Sequence, residues 1–155
     1  MRGMSEDFHE SISLVLDRKR KFNSLIDTKH DLGELGASFT CPSCGYPTLS
    51  ERGGYEICIL CSWEDNGQDN ENADEVWGGP NHELSLNDNR VLFETNKKSN
   101  WTESGREQWF APVRKRIIDC FERILVETAP VKRAAISKEL PALWEECSAI
   151  LRYTM

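Results

Sequence analysis

Apolar residues recur at helical spacing near the start of the chain. Within residues 5–30 they form a single stripe among polar positions, consisting of Phe8, Ile12, Val15, Phe22 and Ile26. Spacings of three, four and seven residues are typical of an amphipathic helix that packs one face against a core. Ser5 is placed to cap this helix, and Gly33 and Gly36 are placed to end the segment. The basic residues 18–21 fall mid-helix, and we expect them mostly on its solvated face.

Two further helical patterns occupy the C-terminal third of the chain. Their apolar faces consist of Phe110, Val113, Ile117, Phe121, Ile124, Leu125, Ile136, Leu140, Leu143, Trp144, Cys147 and Leu151. Residues 105–128 predict a long helix, in which Pro112 fits the first turn only if the helix starts near Ala111 and otherwise kinks it. Residues 130–152 predict two shorter helices that divide before Pro141. We expect these helices to pack with the N-terminal helix.

Strand and loop patterns occupy the centre of the chain. Gly53 and Gly54 predict a hairpin turn, after which Tyr55, Ile57 and Ile59 alternate with polar residues as in a half-buried strand. A mostly polar loop follows, and then Ser85, with Asp88 three residues later, predicts a capped short helix that ends near Phe93. The predicted fold class is therefore α+β. Its predicted divisions are an N-terminal helix (1–37), a small β module (38–94) and C-terminal helices (105–155).

Four of the six cysteines form two pairs at metal-ligand spacing. Cys41 and Cys44 are separated from Cys58 and Cys61 by thirteen residues. Thiolates at positions i and i+3 of a tight turn can bind one face of a tetrahedral ion, and two such turns, here called knuckles, complete a structural Zn²⁺ site. Two disulfides or four unrelated buried thiols are the alternatives. Because four protein ligands leave no open coordination position, we expect no enzymatic activity at this zinc.

The residues around these pairs resemble the bacterial cysteine-rich CPCC domain family. The resemblance covers about residues 39–94 and rests on CPSCGYPTL (41–49), GYEICILCSWED (54–65), Gln68, GPNH (79–82), Ser85-Leu86, Arg90 and Phe93. Ser43 departs from it, since the family has a cysteine there, but Ser43 is not among the four expected ligands. The resemblance implies a zinc-ribbon-like module.

Acidic charge is concentrated in the same region. The formal net charge is −7, and residues 41–105 carry four basic and twelve acidic residues. Such a surface repels nucleic-acid phosphates and attracts basic proteins. The candidate partner-binding residues are therefore Glu64, Asp65, Asp69, Glu71, Asp74 and Glu75. The same segment loosely resembles a Ca²⁺ loop but lacks the full twelve-residue pattern.

Other residues have both a structural and a functional interpretation. His82 could replace a thiolate ligand, but a hydrogen bond from the Asn81–His82 turn to the knuckle backbone is favoured. Trp63 either covers the metal site or is an exposed anchor for a partner. Cys120 and Cys147 lie on apolar helix faces, where core packing is favoured over a disulfide or a nucleophile.

Composition limits the class of protein. Hydrophobic residues make up 39% and charged residues 29% of the 155 residues, and no run of about 18 apolar residues is present to span a membrane. The first seven residues lack the apolar core of a secretory signal. We therefore expect a cytoplasmic protein that does not associate with membranes, in a reducing compartment where thiols stay free.

These features together favour a binding protein over an enzyme. The expected function is that of an immunity protein, which neutralises a basic toxin or effector domain, for example a nuclease, by direct binding. The family resemblance supports this, since such modules look like those encoded beside bacterial toxins. A zinc-ribbon regulatory or nucleic-acid-associated protein is the alternative, although the acidic charge disfavours a nucleic-acid partner. A homodimer is a further option.

Overall fold

Five helices form most of the described structure. The computed structural model describes residues 6–28, 39–96 and 107–154. In chain order the helices are α1 (Glu6–Thr28), α2 (Leu86–Asn96), α3 (Glu107–Val126), α4 (Pro130–Ser137) and α5 (Leu140–Thr154). Within these ranges, no helix is both long enough and apolar enough to cross a membrane.

The predicted N-terminal helix is present as α1. Phe8, Val15 and Phe22 of its apolar stripe are buried. The expected solvation of the basic run does not hold for Arg18, which lies on the stripe between Val15 and Phe22 and is 8% exposed. The predicted boundary residues, Ser5, Gly33 and Gly36, lie outside the described residues.

In the C-terminal region, the predicted division into helices is confirmed. α4 and α5 are separate, and Pro141 is the second residue of α5, where its missing N–H costs no helical hydrogen bond. α3 starts at Glu107, so Pro112 lies inside the helix rather than in its first turn. Proline at that position removes one backbone hydrogen bond, and packing of the apolar face offsets this cost.

The predicted α+β class is wrong, and so is the zinc-ribbon-like β module. The described residues contain no β-strand, and the central segment consists of turns with two isolated bridges, Phe39–Leu49 and Ile57–Glu64. Each bridge joins the two flanks of one cysteine pair, so the two pairs do not form a common sheet. Tyr55, the first residue of the predicted strand, has a φ of 64°, which is incompatible with an extended strand. The fold is helical around an irregular cysteine-rich segment.

The start of α2 has the predicted cap. The Asp88 N–H donates to Ser85 Oγ (2.9 Å), and the Ser85 N–H donates to Asp88 Oδ2 (3.1 Å). This reciprocal pair satisfies two backbone donors and fixes the first turn of α2. The polar loop before it contains two 3₁₀ turns, Asn70–Asn72 and Gly79–Asn81.

Tyr46 links the cysteine-rich segment to the helices. Between ring centroids, it lies 5.8 Å from Phe22 of α1, 6.3 Å from Phe93 of α2 and 5.5 Å from Phe121 of α3. Phe121 in turn lies 6.0 Å from Trp144 of α5. Aromatic pairs of this kind contribute about 0.5–1.5 kcal/mol each beyond the area that they bury. The cysteine-rich segment therefore shares one core with four helices.

Candidate metal centre

The four cysteines predicted as ligands converge in the fold. Cys41, Cys44, Cys58 and Cys61 are buried, and their sulfur atoms all lie within 4.8 Å of one another. The Sγ atoms of Cys41 and Cys61 are 3.7 Å apart, as are those of Cys44 and Cys58. In the described part of the chain, no other group of three or more candidate ligands converges in this way. These four cysteines could therefore bind one metal ion.

The sulfur separations discriminate between the alternatives that the sequence leaves open. A disulfide requires sulfurs about 2.05 Å apart, so pairs at 3.7 Å are not disulfides. Four sulfurs at the corners of a tetrahedron, each about 2.3 Å from a central ion such as Zn²⁺, lie about 3.8 Å from one another. The donor set therefore fits a tetrahedral, thiolate-bound ion, and it does not resemble four unrelated thiols.

Two turns of the same geometry supply the sulfurs. In the first knuckle (residues 41–45), the Ser43 N–H donates to Cys41 Sγ (3.4 Å), and the Gly45 N–H donates to the Cys41 carbonyl (2.9 Å). In the second knuckle (residues 58–62), the N–H groups of residues 60 and 62 make the same two bonds to Cys58, at 3.4 and 2.9 Å. The last residue of each knuckle has a positive φ. Because N–H donors stabilise a thiolate, both turns are shaped to present a metal ligand.

The sulfur cluster requires a cation if all four thiols are to be ionised. Burial raises the pKa values of Cys41 and Cys44 well above the ordinary thiol value. Burial also acts on Cys58, but hydrogen bonds from the three other thiols and from Thr48, whose hydroxyl lies 3.1 Å from the sulfur, outweigh it and lower the pKa of Cys58. These shifts favour a thiolate at Cys58 beside protonated thiols at Cys41 and Cys44. A bound divalent ion would favour four thiolates.

Side chains from α1 and α2 hold the first knuckle. They donate to three consecutive residues: Arg90 Nε to the Pro42 carbonyl (2.9 Å), Asn89 Nδ2 to the Ser43 hydroxyl (2.6 Å) and Arg18 Nη1 to the Cys44 carbonyl (2.7 Å). Arg18 also pairs with Glu94 of α2 (2.9 Å) and lies over the Tyr46 ring, 4.5 Å from its centroid. The knuckle is therefore attached to two helices by polar contacts as well as by packing.

Sequence patterns did not identify Arg18 and Arg90 as residues of this site. Both nevertheless occupy apolar-stripe positions, since Arg18 lies between Val15 and Phe22, and Arg90 lies between Leu86 and Phe93. Arginine is almost never fully buried unless it is paired. A charged residue at an apolar-stripe position is thus the signal that could have identified both.

The residues that follow the second knuckle have structural roles. Trp63 is fully buried and so is not an exposed anchor. The Asn81 side chain exchanges two hydrogen bonds with the Glu64 backbone, at 2.8 and 2.9 Å. The Asn81–His82 turn is therefore bonded to the backbone two residues beyond the second knuckle, rather than to the predicted knuckle backbone. His82 itself is exposed and does not belong to the sulfur cluster.

Two of the six candidate partner-binding acids are paired with basic side chains of the protein. Asp65 is fully buried and pairs with Arg52 at 2.9 Å. Asp69 pairs with Arg52 and with Lys19, at 2.8 Å each. Burial raises the pKa of Asp69, but its hydrogen bonds with these two cations outweigh burial and lower the pKa to about 2. Because protein cations already neutralise both carboxylates, neither is available to a basic partner or to Ca²⁺.

The other four acids lie nearer the surface. Glu64 is half-buried, whereas Glu71, Asp74 and Glu75 are exposed. Asp74 accepts a hydrogen bond from the Asn87 amide (2.8 Å). Among the described residues, no basic side chain forms an ion pair with the three exposed carboxylates. These three acids are therefore available to a partner.

Cys120 and Cys147 lie in the helical core, as their sequence positions favour. Both are buried, and burial raises the pKa of each thiol to about 11. The Cys120 thiol donates to the Ile136 carbonyl (3.4 Å). A buried thiol that stays protonated is a poor nucleophile, so both residues act as small apolar groups.

Comparison with known families identifies the central segment. Residues 39–110 match the model of the family described as cysteine-rich CPCC. The matched segment includes both knuckles and α2, and it confirms the resemblance over residues 39–94. No curated protein and no solved structure matches the chain significantly.

Proposed function

We propose that the cysteine-rich CPCC segment binds one Zn²⁺ and serves as a non-catalytic protein-binding module. In this proposal the protein is an immunity protein that neutralises a cognate basic toxin, such as a nuclease, by direct binding. The observation that carries the proposal is the closed set of four buried sulfurs, with pairs 3.7 Å apart. Such a set suits a metal that holds a fold together.

Zinc in this site contributes folding free energy rather than chemistry. Four thiolates fill every position of a tetrahedral ion and leave none for water or substrate. Structural Zn²⁺ sites contribute about 10–16 kcal/mol in zinc-finger peptides, which exceeds the net stability of most small domains. A zinc-dependent hydrolysis of an ester, peptide or phosphodiester by the folded protein would contradict this part of the proposal.

The exposed segment 71–77 is the surface that we assign to the partner. Its exposed side chains are Glu71, Asp74, Glu75, Val76 and Trp77, of which the last two are 53% and 49% exposed. Beneath it, the buried Gln68 amide donates to the carbonyls of Asn72 (3.0 Å) and Glu75 (2.8 Å). A segment held in this way loses little entropy on binding. Tryptophan supplies an apolar anchor, and the acids around it attract a basic partner.

Charge favours a protein partner over a nucleic acid. Residues 41–105 carry a net −8, and a divalent ion with four thiolates would add −2. This field repels phosphate and attracts the cationic substrate groove of a nuclease, where carboxylates could occupy the positions of phosphates. The regulatory or nucleic-acid-associated alternative therefore has less support.

The test uses a basic nuclease toxin, which is sought among the genes that neighbour the one for this protein and is then purified. Association rates are measured for the parent and for the double variant Glu71→Lys/Glu75→Lys. The control is Asp7→Lys/Glu10→Lys, which changes the net charge equally on the exposed face of α1.

We expect the first variant to associate about tenfold or more slowly at low salt, with a smaller difference at about 0.15 M salt. The control should resemble the parent, and zinc content should be unchanged in both variants. A parent protein that neither binds nor neutralises the toxin would overturn the immunity function. Equal rates for the two variants would overturn the assigned surface.

A further inference from the structure

Arg90 is a buried cation whose partners are all neutral. It is 1% exposed. Its three hydrogen bonds go to the Pro42 carbonyl (2.9 Å) and to the side-chain oxygens of Asn87 (3.0 Å) and Asn70 (2.7 Å). Within the described ranges, no carboxylate lies within ion-pair distance of Arg90. The structure thus encloses a positive charge without a matching anion.

Two other arginines described above, the buried Arg18 and the partly exposed Arg52, are paired with carboxylates. Arg18 pairs with Glu94 at 2.9 Å, and Arg52 pairs with Asp65 and Asp69 at 2.9 and 2.8 Å. Removing a guanidinium from water without a counter-charge costs several kcal/mol. Consistent with this cost, burial lowers the pKa of Arg90. An anion near Arg90 is therefore needed.

The first knuckle is the place where this anion would form. Asp69, Asp74 and a Cys41 thiolate all attract Arg90 electrostatically. Asp69, however, is already paired with two cations, and Asp74 is exposed to water, which screens its charge. A divalent ion and the four thiolates that hold it together carry a net charge of −2, and this charge lies in the protein interior.

A single peptide group connects Arg90 to a ligand sulfur. Arg90 donates to the carbonyl oxygen of the Pro42–Ser43 peptide, and the N–H of that same peptide donates to Cys41 Sγ (3.4 Å). A hydrogen bond to the carbonyl polarises the peptide and strengthens its N–H as a donor. In the second knuckle, the corresponding N–H of Leu60 donates to Cys58 Sγ, but no described side chain donates to the Ile59 carbonyl.

We propose that Arg90 is the counter-charge of the metal centre, a positioning residue that stabilises the anionic tetrathiolate site through the Pro42–Ser43 peptide. This inference rests on the metal-binding part of the proposed function and is independent of the toxin. In this proposal, Arg90 balances the negative charge of the metal site inside the fold. Because Arg90 belongs to α2, this helix is then part of the metal centre.

The test compares metal affinity in Arg90→Gln, Arg90→Lys and Asn89→Ala, measured by competition between a chelator and Zn²⁺. Asn89→Ala is the matched control, since Asn89 is buried on the same helix and donates to the same knuckle without charge. We expect Arg90→Gln to weaken Zn²⁺ binding by about tenfold or more, as removal of outer partners does at other metal sites. Arg90→Lys should recover most of the loss, and Asn89→Ala, which removes a neutral hydrogen bond to the same knuckle, should weaken Zn²⁺ binding by clearly less than Arg90→Gln does.

A second readout separates polarisation from general destabilisation. In the Zn²⁺-loaded protein, the amide proton of Ser43 should move upfield in Arg90→Gln, while that of Leu60 should not. Equal affinities for Arg90→Gln and the parent, or equal losses in Arg90→Gln and Asn89→Ala, would overturn the inference. If Arg90→Gln fails to fold, Arg90→Lys decides, because failure of that variant as well would show that charge is not what matters. If the parent protein binds no Zn²⁺, the metal-binding part of the proposed function fails. That result is distinguishable from a failure of the Arg90 inference, because it is seen before any variant is compared.

Discussion

The first and second knuckles have the same backbone geometry but different surroundings. Each has an N–H that donates to its first sulfur at 3.4 Å and a final residue with positive φ. The first receives three hydrogen bonds from side chains of α1 and α2. In the described structure, the second receives none from a helix. Its backbone hydrogen bonds stay within residues 58–63, and Thr48 is the side chain that contacts its first sulfur. The ligand geometry is therefore set within each knuckle, whereas only the first knuckle is attached to helices by side-chain hydrogen bonds.

The equivalent residues Gly45 and Ser62 show this difference most clearly. A Cβ on Gly45 would lie 2.8 Å from the Val15 carbonyl oxygen of α1, so only glycine fits where the helix passes. Ser62 has a φ of 66°, and its buried hydroxyl has no hydrogen-bond partner in the described structure. The same turn thus tolerates a side chain in one copy and excludes it in the other.

Loss of a ligand cysteine should have the same effect on metal binding and folding in either knuckle. We expect Cys44→Ser and Cys58→Ser to lose the metal and to unfold alike, because either change opens the tetrahedral site and metal binding contributes about 10–16 kcal/mol in comparable sites. Circular dichroism and zinc analysis measure both effects. Cys147→Ser, a buried thiol outside the cluster, is the control and should retain zinc. Normal melting of either ligand variant would show that the fold does not depend on the metal.

Removing the Arg18 side chain, which attaches the first knuckle to α1, should lower the stability of the protein. Arg18→Gln removes the ion pair with Glu94, whose side chain is 9% exposed, and the hydrogen bond to the Cys44 carbonyl, so we expect a loss of about 3–5 kcal/mol in unfolding free energy. Arg20→Gln, an exposed neighbour on α1, should change it by less than about 0.5 kcal/mol. Denaturant titration of the zinc-loaded proteins tests this. Similar values for the two variants would mean that α1 does not anchor the knuckle.

Gly45→Ala tests the close approach of α1. The new Cβ meets the Val15 carbonyl oxygen, and the residue must also keep a φ of 83°. We expect a loss of about 2–4 kcal/mol from the combined overpacking and backbone strain. The measurement is again the free energy of unfolding. A loss no greater than the strain alone, about 1 kcal/mol, would contradict the packing shown here.

Ser62→Gly should have the smallest effect, and of opposite sign. Glycine accepts the positive φ and removes an unsatisfied buried hydroxyl, so we expect a gain of about 0.5–1 kcal/mol. Ser62→Ala, which retains the backbone strain, separates the two contributions. A loss of stability in Ser62→Gly would indicate that the hydroxyl has a partner in solution.

The metal ligands and the helices could be predicted from local sequence. The two Cys-x-x-Cys pairs define their turns within a few residues, and the apolar stripes define the helices in the same way. The strand prediction failed because Tyr55, Ile57 and Ile59 alternate as a strand does, yet the backbone at Tyr55 turns with positive φ. An alternating pattern of apolar residues does not show that the residues on the two sides of each knuckle pair with each other, through a single bridge.

The roles of the acidic residues could not be read from sequence because they depend on distant partners. Asp69 and Glu71 look alike in a polar segment, but Asp69 pairs with Lys19, fifty positions away. Arg18 and Arg90 are likewise defined by contacts with a knuckle 26 and 48 residues away. Only the tertiary fold distinguishes acids that pair with protein cations from acids that stay exposed.

X-ray absorption spectroscopy at the zinc edge of the purified protein would show whether both knuckles bind one ion. We expect one zinc per chain, surrounded by four sulfurs at about 2.3 Å and by no nitrogen or oxygen. A nitrogen or oxygen in the first shell, or a sulfur count of two or three, would contradict a site closed equally by Cys41, Cys44, Cys58 and Cys61.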